Sequence, residues 1–126
     1  MTNKPIARVI IAGSREFNDY DLLKSYCSKM LSNLIDKHQI IIVSGTAPGA
    51  DRLGERFAKE FGFSLERYPA DWNTFGRSAG YRRNQQMAEV ANYLIAFSVN
   101  NSKGTGHMID IMTKLGKPVR VKYITK

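Results

Sequence analysis

The chain has 126 residues, 43 % of them hydrophobic and 24 % charged, which is one domain's worth of ordinary globular protein. Its single cysteine excludes an internal disulfide and a cysteine-based zinc site, and no apolar run is long enough for a membrane span. Nineteen Lys and Arg against eleven Asp and Glu leave a net charge of +8, so the expected partner is anionic.

Met1 to Pro5 lead directly into a strand-like run instead of a secretion leader, and with one cysteine the expected setting is the cytoplasm. Ile6 to Ala12 reads as a buried first strand, ended by Gly13-Ser14-Arg15. Asn18 or Asp19 is placed to cap the first helix, whose Leu23, Cys27, Met30 and Leu34 recur at helical spacing. That stripe makes Cys27 a packed small hydrophobe.

Ile40 to Val43 are four β-branched residues in a row, a second strand buried on both faces. Ser44-Gly45-Thr46-Ala47-Pro48-Gly49-Ala50-Asp51 follows, and a second helix begins near Asp51 with Leu53, Phe57, Ala58 and Phe61 inward and Gly62 as its stop. Glycines here would let backbone N–H groups approach a phosphate; an ordinary turn between strand and helix also favours Gly and Ser. Asp51 reads either as the helix cap or as a holder of a ribose hydroxyl.

Ser64 to Tyr68, mixed in polarity, reads as an edge strand. Pro69 to Gly76 reads as a long loop, in which Asp71 lacks an obvious structural task and Trp72 and Phe75 could stack on a base. The third helix is expected over Ser78–Ala91, with Asn84, Met87, Ala88 and Ala91 on one face and Arg82 and Arg83 near its start. Tyr93 to Phe97 reads as a fourth strand and Ser98 to Gly106 as a second small-residue loop. His107 would open the last helix, neutral at the positive end of the dipole, as ligand contact or as cap. Met108, Ile111, Met112 and Leu115 form that helix's stripe, Gly116 ends it, and Val119 to Ile124 is the fifth strand.

Strict alternation of strand and helix predicts an α/β fold of three layers, a mainly parallel five-stranded sheet with helices on both faces, in a single domain over 1–126. Ligands of such sheets bind beyond the carboxyl ends of the strands. The residues gathered there are Gly13, Ser14 and Arg15; Ser44, Gly45, Thr46, Ala47, Gly49, Ala50 and Asp51; Asp71 and Trp72; Arg82, Arg83 and Asn84; and Ser102, Lys103, Gly104, Thr105, Gly106 and His107. Glycine-rich helix starts, arginines and a tryptophan suit the phosphate and base of a nucleotide. Arg52, Arg56 and Arg67 read as solvated faces, and His38 as a solvated histidine. Neither glycine loop is a P-loop or a dinucleotide fingerprint, and the two histidines make no metal pattern, so neither cofactor nor metal is expected.

The segments GSREFND, SGTAPGADRLGERFA, YPADWNTFGRSAGYRRNQQMAEVANYLIAF and NNSKGTGHMIDIMTKLGKPVRV together resemble the YspA-type (YpsA-related) branch of the SLOG superfamily, which also includes the LOG phosphoribohydrolases and DprA. The resemblance runs from Ile6 to Val121 and implies a Rossmann-like fold, a nucleotide-derived ligand and site motifs at Gly13–Arg15, Ser44–Asp51, Arg82–Asn84 and Ser102–His107. LOG enzymes carry a PGGxGTxxE loop with a catalytic Glu; Met108 falls at that position here. A thioether moves no proton, so binding of a nucleotide-like molecule, as sensor or sequestering protein, is the first expectation. Hydrolysis of an N-glycosidic or phosphate bond by Asp71, Asp51 or His107, with Arg15 and Arg83 as phosphate clamps, is the alternative. Nucleic-acid binding is a third expectation, and pairing into a homo-oligomer is implied by related folds.

Overall fold

A computed structural model describes residues 4–125. The elements run β1 (Ile6–Gly13), α1 (Tyr20–Leu31), β2 (Gln39–Ser44), α2 (Ala50–Phe61), β3 (Ser64–Arg67), α3 (Trp72–Phe75), a 3₁₀ turn (Gly76–Ser78), α4 (Ala79–Val90), β4 (Tyr93–Val99), α5 (Lys103–Lys114) and β5 (Val119–Ile124). The five strands lie in the order β3-β2-β1-β4-β5, and every pairing is parallel. β3 is an edge strand, as its mixed polarity indicated.

Side chains alternate across the pleat, so each central strand serves two cores. Val9 and Ile11 of β1, Ile42 of β2 and Phe97 of β4 meet Leu23 and Cys27 of α1 and Phe57 of α2 on one face. Ile10, Val43 and Leu94 face the other way, onto Met87 of α4 and Met108 and Met112 of α5. Cys27 is fully buried, and burial pushes its thiol up from the ordinary value, so it stays a neutral packing group.

The chain steps outward from β1 to β2 to β3, then crosses back to lay β4 on the opposite side of β1. The connections after β1 and β4 therefore diverge to opposite faces, and a crevice opens between their carboxyl ends. Two close backbone contacts hold this point together. A Cβ on Gly13 would sit 2.2 Å from the carbonyl oxygen of Phe97, and one on Gly49 would sit 2.4 Å from that of Ser14.

Several local expectations are corrected. α1 ends at Leu31, so Leu34 packs from the following turn instead of from the helix stripe. Phe61 and Leu115 are 39 % and 47 % exposed, at the ends of their helices instead of on the inner faces. The cap of α2 is Gly49, at φ 83, not Asp51. The expected loop at Asp71 contains α3, and the Asp71 carboxylate caps it by accepting the Thr74 N–H at 3.1 Å. α5 starts at Lys103, so Gly104 to His107 belong to its first turns. The reversal before it is made by Asn100 and Asn101, both at positive φ, a conformation asparagine adopts with little penalty. His38 is half-buried with Nδ1 lacking a hydrogen-bond partner, not solvated.

Candidate functional site

A cavity of about 400 Å³ fills the crevice, within the size range of small-molecule sites. Its walls come from the loops after β1 and β2, from α3 and α4, and from the start of α5. The two helix-opening loops singled out in the sequence thus face one space: Ala47 and Asp51 on one side, Ser102, Gly104 and Thr105 on the other.

The start of α5 is the open cradle. A Cβ on Gly104 would meet nothing within 4 Å, and Ser102 makes no side-chain cap to the helix. The first N–H groups of an α-helix have no intrahelical acceptor, and Ser102, Gly104 and Thr105 at this helix start line the cavity. The Ser102 hydroxyl is engaged elsewhere. Ser14 Oγ accepts the Val99 N–H at 2.8 Å and donates to Ser102 Oγ at 2.8 Å, which donates to Thr105 Oγ1 at 2.6 Å. This chain of hydroxyls fixes the β1 loop against α5.

The β2 side is filled by the side chains of Asp51 and of Arg83 from α4. Gly45 is buried, and a Cβ there would meet the Asp51 carboxylate at 2.7 Å and the Arg83 guanidinium at 2.9 Å. Arg83 Nη1 donates to the Gly45 carbonyl, and Arg83 Nε donates to Asn84 Oδ1 at 3.1 Å. Asp51 Oδ2 accepts the Ala47 N–H at 3.1 Å. Glycine at 45 therefore makes room for an arginine and a carboxylate, and glycine at 49 for the backbone of the β1 loop; the positive φ beside Gly45 falls on Thr46.

Asp51 is only 5 % exposed. Burial raises its carboxyl from the ordinary 3.8 to about 6, against the opposing pull of the Ala47 N–H and of Arg83. The unfolded chain gives up this proton first, so Asp51 progressively opposes folding as pH rises from 3.8 to about 6 and contributes a constant cost above that. Asp51→Asn flattens the fall in stability across this window, which urea unfolding at a series of pH values measures. Burial also lowers the Arg83 guanidinium, with Arg15 adding to the effect and Asp51 opposing it.

Residues 7–75 match the profile of the family described as YspA, cpYpsA-related SLOG. The chain belongs to that family. A curated relative, the Gene 61 protein of Mycobacterium phage D29, is 33 % identical over 118 residues, spanning 89 % of this chain and 93 % of the phage protein. Among solved structures, the fold is shared with TM1055 at a TM-score of 0.60 and 19 % identity, covering 92 % of this chain and 72 % of that one. It is shared also with DprA from Streptococcus pneumoniae at 0.54 and 14 %, covering 92 % of this chain and 58 % of that one. The three-layer Rossmann-like arrangement expected from the SLOG resemblance is the one observed.

In this SLOG domain the sequence-selected residues divide into three groups. Gly13, Ser14, Arg15, Ala47, Asp51, Trp72, Arg83, Asn84, Ser102, Gly104 and Thr105 line the cavity. Ser44, Gly45, Gly49 and Ala50 support it from behind: the Ser44 hydroxyl donates to Glu55 at 2.7 Å and receives the Thr46 N–H at 3.1 Å. Asp71, Arg82, Lys103, Gly106, Thr46 and His107 lie outside the lining. Arg82 stacks on Phe75 at 4.4 Å, which takes both from the crevice. Arg52 and Arg67 hold Thr46 O and Glu55, and Arg56 stacks on Tyr20, as surface arginines do.

Arg77 and Tyr81, and Glu16 in the β1 loop, line the cavity and were not anticipated. The placement of the first two depends on the 3₁₀ turn between α3 and α4, for which the sequence carries only the helix-breaking Gly76 as a signal. Asp71 is a cap on a surface helix. Asp71→Ala therefore costs about 1 kcal/mol of stability and leaves ligand affinity within about threefold, by thermal unfolding and calorimetry.

Proposed function

We propose that this SLOG domain binds a nucleotide or nucleotide-derived small molecule at the carboxyl edge of its sheet, as a sensor or a sequestering protein. One observation carries the reading: the uncapped start of α5 and the side chains of Arg15, Arg77 and Arg83 line a single cavity, with Trp72 at its rim, 50 % exposed. Helix N–H groups and guanidinium groups are the usual receptors of a phosphoryl group, and an exposed indole is a platform for a base. Met108 and Met87 supply an apolar floor without a proton-transfer group.

Calorimetry against nucleoside monophosphates, ADP-ribose and cyclic nucleotides tests this. Saturable binding of at least one is expected; no heat from any at millimolar concentration contradicts it. An oligonucleotide belongs in the panel, because a nucleic-acid ligand would bind with an affinity that falls steeply with salt.

Hydrolysis of the bound molecule is the second reading, favoured by Asp51, a cavity-lining carboxyl with a value of about 6, suited to giving or taking a proton near neutrality. Asp71 caps α3 and His107 pairs with Asn84, outside the lining, so of the three catalytic candidates Asp51 is the one that lines the cavity, and Glu16 is a second carboxylate there. Release of free base or phosphate, abolished in Asp51→Asn, supports it; intact ligand after long incubation removes it. No helix among the described residues is long and apolar enough to cross a membrane. A cytoplasmic homo-oligomer is the working expectation, and sedimentation of the free protein tests the oligomer.

A further inference from the structure

Asn84 stands between the two halves of the anion site. It is buried on α4, and its amide is engaged on both ends. Oδ1 accepts from Arg83 Nε at 3.1 Å. Nδ2 faces Gly104 O in the first turn of α5 at 3.4 Å and His107 Nδ1 at 3.1 Å.

Two of these partners permit only one orientation of the amide. A guanidinium N–H can only donate, and a peptide carbonyl can only accept. With Oδ1 committed to Arg83 and Nδ2 to Gly104, a donor must face His107, so His107 Nδ1 must accept. The imidazole is then neutral, with its proton on Nε2. Burial and Lys114 hold His107 below its ordinary value, while Asp110 pulls the other way. The Tyr81 ring packs edge-on against the imidazole at 4.5 Å and restrains it from swinging aside.

We propose that His107 is a positioning residue: neutral, it lets Asn84 tie the Arg83 guanidinium to the start of α5, and protonation of His107 breaks that tie. A proton on Nδ1 would oppose the Asn84 amino group. The contact is relieved by turning the amide over, which presents an amino group to Arg83 Nε and an oxygen to Gly104 O, two like-against-like contacts. The arginine and the helix start then lose their common tether. The role matters to the ligand only if the anion-binding reading holds, but the coupling itself exists in the free protein.

The test therefore uses the ligand-free protein. Nitrogen-15 NMR of the His107 ring and of the Arg83 Nε–H, assigned with Arg83→Lys, is followed as pH is lowered. The facing groups are Tyr81 and Asn84 on α4 and Asp110 and Lys114 on α5; Asp51, beside Arg83, titrates near 6 and must be separated. His107→Gln does this, because its side-chain oxygen can accept from Asn84 and does not titrate. The expected result is an Nε2–H tautomer for His107 and an Arg83 Nε–H signal that is lost with the His107 midpoint. The signal persists at the same pH in His107→Gln and in His107→Leu, neither of which can be protonated there. An Nδ1–H tautomer, an Arg83 signal unmoved by His107 titration, or one still lost at low pH in His107→Leu overturns the proposal. Neither outcome depends on whether a nucleotide binds, so failure here and failure of the binding function are distinguishable.

Discussion

Arg83→Ala weakens binding of a nucleoside monophosphate by at least about thirtyfold, the equivalent of roughly 2 kcal/mol or more for removing a partly buried, hydrogen-bonded charge. The guanidinium does two things that alanine cannot. It lines the cavity beside the start of α5, and it satisfies the Gly45 carbonyl within the β2 loop. Its loss also strips Asp51 of a favourable positive neighbour, so the carboxyl rises further above about 6. Arg83→Lys restores part of the affinity at most, because a single ammonium cannot reach Gly45 O and Asn84 Oδ1 as a planar fork does. Calorimetry of the three proteins with one nucleotide measures the series, and equal affinities would remove Arg83 from the site.

Gly49→Ala costs about 3 kcal/mol or more of stability, the second large effect. Residue 49 sits at φ 83, where an L side chain is strained, and its Cβ would press to 2.4 Å from Ser14 O and 2.5 Å from Arg15 O. These are backbone atoms of the β1 loop, which is tied to β4 by the Ser14 N–H to Phe97 O bond of 2.9 Å. Relief of the clash must therefore open the crevice itself. Urea unfolding reports the loss. Gly104→Ala is the contrast: nothing lies within 4 Å of its Cβ, and it is a helical position, so stability is kept or slightly raised.

The strands were legible because their signal is local. Ile40 to Val43 can do little else than lie in a sheet buried on both faces, β4 announces itself in the same way, and β5 does so by the alternation of an edge strand. The crevice followed from strand alternation plus the rule that such sheets bind ligands at the carboxyl edge. The role of each glycine was not legible. Gly45 and Gly49 share the composition of a phosphate loop, yet one gives way to Arg83 and the other to the backbone of residues 14 and 15. Only contacts 34 to 38 residues apart in sequence distinguish those uses from ligand binding. Asp71 misled in the opposite direction, since a four-residue helix is too short to show a periodic pattern and its cap looked unemployed. Gly104 and Gly106 suggested loop by propensity, and tertiary packing of Thr105, Met108 and Met112 made them helix.

The central claim is that the β1 loop, the Arg83 side chain beside the β2 loop and the start of α5 close around one anion. Amide NMR during titration with AMP reads this residue by residue. The account predicts that the N–H signals of Ser14, Ala47, Gly104 and Thr105 shift together along a single saturation curve, with the β5 edge unmoved. Shifts confined to one of the loops, or none at millimolar AMP and ADP-ribose, would contradict it.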